Sequence, residues 1–253
     1  MVFDKLRSLF SNSRSSVPCL PPAEELADDR VYSIDDALRD HFAPVMRRLG
    51  FKGSGRNFRR VSGDVFQAIN VQGSRYGGMF AVNLGIHPLA IPDFVGKPID
   101  VKKSKEIDCD FRRRLSENGC DFWWNYLDTR QSVIEAATAA ARAFESHGLP
   151  LFDNQAASDG PLFTITPEQF DCEGARPLSG FAFTKARMAL SLARLRKAQG
   201  KLEECRAFAR IGLRPVPPPD LSAFGDRATV FVPESGIRWR GEAELEALSQ
   251  VGL

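Results

Sequence analysis

Apolar residues first recur at helical spacing between residues 33 and 50, at Ile34, Leu38, Phe42, Val45, Met46 and Leu49. Ser33 stands where an N-cap belongs, with Asp35 and Asp36 in the first turn, where the helix dipole favours negative charge. Gly50 stands where the helix should stop, with Phe51 as the apolar residue that folds back. The period then shortens from helix to strand. Residues 57–61 form a short basic run, and residues 65–72 are rich in β-formers. Residues 79–86 alternate strictly, with Phe80, Val82, Leu84 and Ile86 on one face. The glycine-rich stretch 73–78 joins the last two runs as a hairpin loop. Prolines break the pattern over residues 88–98, and residues 109–115 predict a further strand. Trp123 and Trp124 precede a helix expected at about 131–146, with Gly148 in the C-cap position. An N-terminal helix, an antiparallel meander sheet and a closing helix over residues 31–153 predict an α+β fold with its helices on one sheet face.

Beyond residue 153 the patterning changes. Residues 154–177 read as a linker, and residues 178–217 as an αα-hairpin. In the hairpin, Ala186, Ala189, Leu190 and Ala193 make one stripe. Gly200 makes the turn, and Leu202, Cys205, Phe208, Ala209 and Gly212 make the next stripe. The run VPPP at 216–219 ends the hairpin. Residues 218–253 follow as a tail with a strand-like run at 229–232 and a short acidic helix at 242–248. Residues 1–30 read as a tail and a serine- and proline-rich linker. Asp4, Lys5 and Arg7 interrupt its apolar positions, so it does not read as a signal-peptide core. No apolar run approaches the roughly 20 residues that a membrane-spanning helix needs. Five scattered cysteines without a CxxC pair point to reduced thiols and a cytoplasmic protein rather than a disulfide framework or a zinc ribbon.

The ordered motifs LGFK (49–52), NFRR (57–60), QAINVQ (67–72), FAVNLGI (80–86), CDFRRRL (109–115) and DFWW (121–124) together resemble family 4304 of the bacterial domains of unknown function. The resemblance covers roughly residues 35–153. It implies a compact bacterial α+β domain and brings no established activity, substrate or catalytic residue. The hairpin is similar to a tetratricopeptide unit through Ala193, Gly200, Cys205, Ala209, Gly212 and Pro217, although Cys205 and Gly212 replace the usual alanines. Such a unit occurs once here, and a single one cannot bury both faces. It must pack on the first domain, on another subunit or on a partner.

Net charge is only +2, so no global field advertises a polyanionic partner. The local balance differs. Between Arg47 and Arg75 there are seven bases against the single acid Asp64, interleaved with amide side chains. Guanidinium forks beside amides on a sheet suit carboxylate, phosphate or an acidic protein patch. The expected binding residues are therefore Arg56, Arg59, Arg60, Gln72, Arg75, Asn83 and Arg113, with Trp123 and Trp124 as aromatic neighbours.

Catalytic patterns fit poorly. Gly53-Ser54-Gly55 follows a helix rather than a strand and lacks the GK[ST] ending of a phosphate loop. Neither GxSxG nor HExxH occurs. His87 and Cys109 could form a dyad if their strands pair, and Asp108 with Asp110 could share one side of a strand as a cation site. Asp93, Asp100 and Lys102 mimic the PD…DxK pattern of metal-dependent nucleases. No cofactor and no metal site is expected, and no catalytic residue is assigned. The chain reads as a non-enzymatic binding or adaptor protein for an acidic protein or peptide, an immunity partner of a toxin being one such case. The alternative is nucleic-acid binding or metal-dependent nuclease activity. Oligomeric state is not encoded legibly.

Overall fold

Helix α1 (34–48) begins where the Ser33 hydroxyl accepts the Asp36 N–H at 3.3 Å and the Asp36 carboxylate accepts the Ser33 N–H at 3.0 Å. This reciprocal cap satisfies two donors that a helix start leaves orphaned. The computed structural model describes residues 32–116, 122–172, 178, 180–181, 184–214 and 241–252. A π-type turn at Leu38–Phe42 interrupts α1. The helix ends at Gly50, whose φ of +84° is open to glycine at no steric cost. There the Phe51 N–H reaches back to the Met46 carbonyl, the Gly50 N–H reaches the Arg47 carbonyl, and the Phe51 ring is buried.

The chain then builds an antiparallel meander from β1 (Lys52–Ser54), β2 (Asn57–Ser62), β3 (Val65–Gly73) and β4 (Met79–Pro88). Two further strands, β5 (Phe111–Arg114) and β6 (Trp124–Asn125), pair antiparallel with β4 at different points along it. The strand order is β1-β2-β3-β4-β5. Helix α2 (130–156), capped by Thr129, packs with α1 on one face of this sheet. Phe58, Ile69, Val71, Val82, Leu84, Ile86 and Phe111 meet Phe42, Met46, Ala137, Ala140, Phe144 and Phe152 there. The protein is thus α+β, as the patterning predicts.

Two expectations need correction. Gly148 does not end the closing helix: its φ of −75° and ψ of −43° are helical, and α2 continues through a π-type turn at Phe144–Gly148 to Ala156. Packing explains the glycine, because a Cβ there would lie 2.5 Å from the Phe144 ring. The described part of the stretch 154–177 is not an open linker either. It carries the short helices α3 (Pro161–Thr164) and α4 (Pro167–Asp171), and Leu162, Ile165 and Phe170 are buried in the common core.

Helices α5 (Lys185–Ala198) and α6 (Leu202–Gly212) form the expected hairpin, turning at Gly200 with φ +74°. Helix α7 (Glu242–Ser249) closes over it, and α6 approaches so tightly that a Cβ on Gly212 would lie 2.8 Å from Leu245. The hairpin packs on the α+β layer of the same chain, where Ser191 and Arg194 of α5 hydrogen-bond to Asp110 and to the Asp93 carbonyl. The N-terminal tail (1–30), Cys19, Cys120, Pro217 and the strand-like run at 229–232 lie outside the described residues. Among the described residues no helix is long and apolar enough to cross a membrane.

Candidate functional site

Strand parity divides the cluster of basic and amide residues between two faces. Register pairs Phe58 with Ile69 and Arg60 with Gln67 on the helix-covered side. Arg59 opposite Ala68, Asn57 opposite Asn70, and Asn70 opposite Asn83 therefore lie on the outer side. One end of this outer face is covered. Phe66, Ala68 and Cys109 form a small buried cluster there, with Ile99 packed against it from the 89–110 segment. The other end carries Lys52, Asn57, Arg59, Asn70, Gln72 and Arg114, all half-buried or exposed. No Asp or Glu occupies an outward strand position.

Hydrogen bonds order this open end. Asn70 donates to Asn57 Oδ1 at 3.0 Å, and Asn83 donates to Gln72 Oε1 at 2.9 Å. Arg114 Nε donates to Asn83 Oδ1 at 3.3 Å, and its guanidinium stacks 4.6 Å from the Trp123 ring centre. Gln72 is exposed, and its Oε1 accepts from Asn83 and Arg114. The result is a fixed lattice of donors rather than a fringe of mobile cations.

The expected residues do not all meet here. Arg59, Gln72, Asn83 and Trp123 do. Arg60 instead lies on the helix side, donating to Gln67, to the Leu49 carbonyl at 2.9 Å and to Asp153 at 2.6 Å, with its guanidinium 4.6 Å from the Phe51 ring centre. Trp124 is core, stacked on Phe80. Arg113 pairs with Leu84 across the sheet and so shares the helix side, next to Gly180. Arg56, in the β1–β2 turn, is tied to Asp35 at 2.7 Å, and that bond raises its pKa. Arg75 stacks on the exposed Tyr76 at the tip of the β3–β4 hairpin. The expected binding set left out Lys52 and the outward Arg114, although both belong to the basic runs, and it left out Lys102, which entered only through the PD…DxK pattern. The β1–β2 hairpin around Gly53-Ser54-Gly55 could have placed Lys52 opposite Arg59, since Gly53 and Gly55 both take positive φ. Nothing local announces Lys102, whose carbonyl accepts a bond from Arg59 across 43 residues of sequence.

The other candidate chemistries resolve into structure. His87 is fully buried and makes no dyad with Cys109. Its Nε2–H faces the Ile91 carbonyl at 3.0 Å, and its Nδ1 accepts the Asp110 N–H at 3.3 Å. Burial lowers the His87 pKa and holds the ring neutral, against the opposing pull of Asp110. The Cys109 thiol donates to the Lys105 carbonyl, and burial pushes its pKa up, away from the reactive thiolate. Asp108 and Asp110 do not share a strand face. Asp108 ends a 3₁₀ turn and accepts the Lys105 N–H, whereas Asp110 is buried against Ser191 at 2.7 Å. Asp93 accepts the N–H groups of Val95 and Lys97, and Asp100 accepts that of Lys102. Both are turn-forming caps of their own loops. No group of three or more His, Cys, Asp or Glu side chains able to hold a metal occurs among the described residues.

The fold and the ordered outer face define a helix-backed antiparallel domain with one polar, cation-bearing side. Residues 42–154 match a domain of unknown function, DUF4304, in agreement with the resemblance carried by the strand motifs. The match runs from within α1 to near the end of α2 and takes in the whole outer face, while α5, α6 and α7 lie beyond it. Neither the curated proteins nor the solved structures yielded a match to this chain.

Proposed function

We propose that this is a binding protein that engages an acidic protein or peptide through the open half of the outer sheet face. One observation carries the reading: this half presents Arg59, Arg114 and an ordered amide ladder without an outward carboxylate on any strand. Ordered donors lose little freedom on meeting a carboxylate, and the like-charged field favours an acidic partner over a basic one. The helix-backed core makes the face rigid. The hairpin α5–α6 contributes by bracing the covered end of the sheet through Asp110 and the 89–110 segment.

The test uses a fluorescently labelled glutamate-rich decapeptide and a single-stranded oligonucleotide of equal charge. The peptide should bind with a shallow salt dependence, and Asn70→Asp with Gln72→Glu should weaken it at least about fivefold, on the order of 1 kcal/mol. Preferential binding of the oligonucleotide, with affinity falling steeply as salt rises, would reassign the face to nucleic acid.

A further inference from the structure

Beside β1 and β2, on the edge of the sheet, lies a cavity of about 570 Å³. That volume falls in the range of small-molecule sites, roughly 300–1,000 Å³. Its polar lining is cationic. Lys52 and Arg59 are direct cross-strand partners in the β1–β2 register, and Lys102 joins them from the 89–110 segment. Two like charges directly opposite each other on a sheet destabilise it. Neither lysine ammonium has a carboxylate partner among the described residues, and Arg59 gives one guanidinium donor to the Lys102 carbonyl and keeps the others. Arg60, also at the wall, is already matched to Asp153. Val61 and Val101 add exposed apolar surface to the same cavity, at 47% and 41% exposure.

We infer that this cavity binds a small organic phosphate monoester. The dianionic head would sit among Lys52, Arg59 and Lys102, and the apolar body would lie against Val61 and Val101. Three uncompensated cations exceed what one carboxylate can neutralise, whereas a phosphate dianion offers the charge and three acceptor oxygens. A like-charged cross-strand pair with no carboxylate partner among the described residues breaks a local rule of sheet pairing, as functional sites do, and a ligand would supply the missing charge. The inference goes beyond the acidic-partner reading, because the cavity lies at the β1 edge and the face variants Asn70→Asp and Gln72→Glu leave its cations in place.

Isothermal titration with phenyl phosphate, inorganic phosphate and benzoate tests it on the full chain. Phenyl phosphate should bind saturably and more tightly than inorganic phosphate, which lacks the apolar body, and than benzoate, which lacks the second charge. Arg59→Gln and Lys102→Gln should each weaken it about tenfold, as expected for loss of one charge-assisted bond. Lys52→Gln should act likewise, with the melting temperature of all three variants close to that of the parent chain. Absence of saturable binding would overturn the assignment. So would benzoate binding as tightly as phenyl phosphate, or an unchanged affinity in the Lys52→Gln, Lys102→Gln double variant.

Discussion

Two regions use the same basic side chains in opposite ways. In the seam where α5 and α6 meet the rest of the chain, Arg194 and Arg196 are both matched by acceptors. Arg196 has no exposed surface, yet it donates to Glu204 at 2.7 Å, to the Ile165 carbonyl at 2.7 Å and to Gln199 at 3.1 Å. Arg194 holds Glu244 through two bonds and the Asp93 carbonyl through a third. At the β1 edge, Lys52, Arg59 and Lys102 line one cavity, and none of their side chains is ion-paired to a carboxylate among the described residues. Arg194 and Arg196 show buried cations used for cohesion: acceptors surround them, because a buried unpaired charge is costly to keep. The edge is where the proposed phosphate monoester would supply the charge that the described residues do not.

The contrast is sharpest at Arg196. Replacing it with Met keeps much of the apolar stem but strands the Ile165 carbonyl and removes the bond to Glu204. The expected loss is about 2 kcal/mol, mostly from the stranded Ile165 carbonyl and the lost charge-assisted bonds, since Glu204 is 34% exposed and stays hydrated. Urea unfolding measures it directly. A loss below about 1 kcal/mol would place Arg196 with ordinary surface arginines and dissolve the distinction between seam and edge. Phosphate-monoester binding at the β1 edge should be unaffected, since the two regions share no side chain.

A smaller effect belongs to His87, which sits at the covered end of the outer face. Its ring faces the Ile91 carbonyl and the Asp110 N–H, with the Asp110 carboxylate 3.9 Å from Nδ1 and the charges of Asp93 and Arg194 also felt. Burial lowers its folded pKa below the ordinary value of about 6.5. As pH falls, the unfolded chain therefore takes up the proton first. The stability contributed by neutral His87 is complete above about pH 6.5 and declines below it, until the folded ring also protonates. Unfolding free energies between about pH 7 and pH 5.5 should fall in the parent chain and fall less steeply in His87→Gln. Equal slopes in the two proteins would show that His87 carries no such linkage.

How much of this was legible in the sequence follows from the range of the interactions. The Ser33 cap, the Gly50 stop and the β3–β4 hairpin are local, decided by residues within a few positions of one another, and the patterning placed them. The alternating run of β4 marked its core side, since Val82, Leu84 and Ile86 all enter the main cluster. The split of the basic residues between faces was only half visible. Arg59 and Arg60 must point oppositely in any strand, so one of them could not belong to a common outer surface. Which of Arg112, Arg113 and Arg114 face outward depends on the register of β5 against β4, and a shift of one residue would exchange the faces. Gly148 misled because a glycine needed for close packing is spelled the same as one needed for a cap. The 154–177 stretch misled for a related reason: its prolines start the short helices α3 and α4 rather than keeping the chain extended. Lys102 and the buried meeting of Asp110 with Ser191 depend on contacts 43 and 81 residues apart in sequence, which no periodicity records.

The smallest expected effect bears most directly on what the edge is for. Lys52→Glu turns a like-charged cross-strand pair with Arg59 into an opposite-charged one. If cohesion were the purpose of the edge, glutamate would be the better residue, because an opposite pair at this position contributes about 0.2–1 kcal/mol and a like pair subtracts a similar amount. Both side chains reach solvent, so the gain belongs at the lower end of that range and shrinks with added salt. The variant should therefore unfold at a slightly higher urea concentration at low ionic strength, with the difference fading at high salt. Its affinity for phenyl phosphate should fall by more than that of Lys52→Gln, since a cation is replaced by an anion facing the same head group. A variant that is more stable and binds less would show that Lys52 is held where it is at a cost to the sheet. If stability drops instead, a neighbour of Lys52 already supplies the missing negative charge. The edge would then belong with the seam, and its lysines would be structural in the sense that Arg194 and Arg196 are.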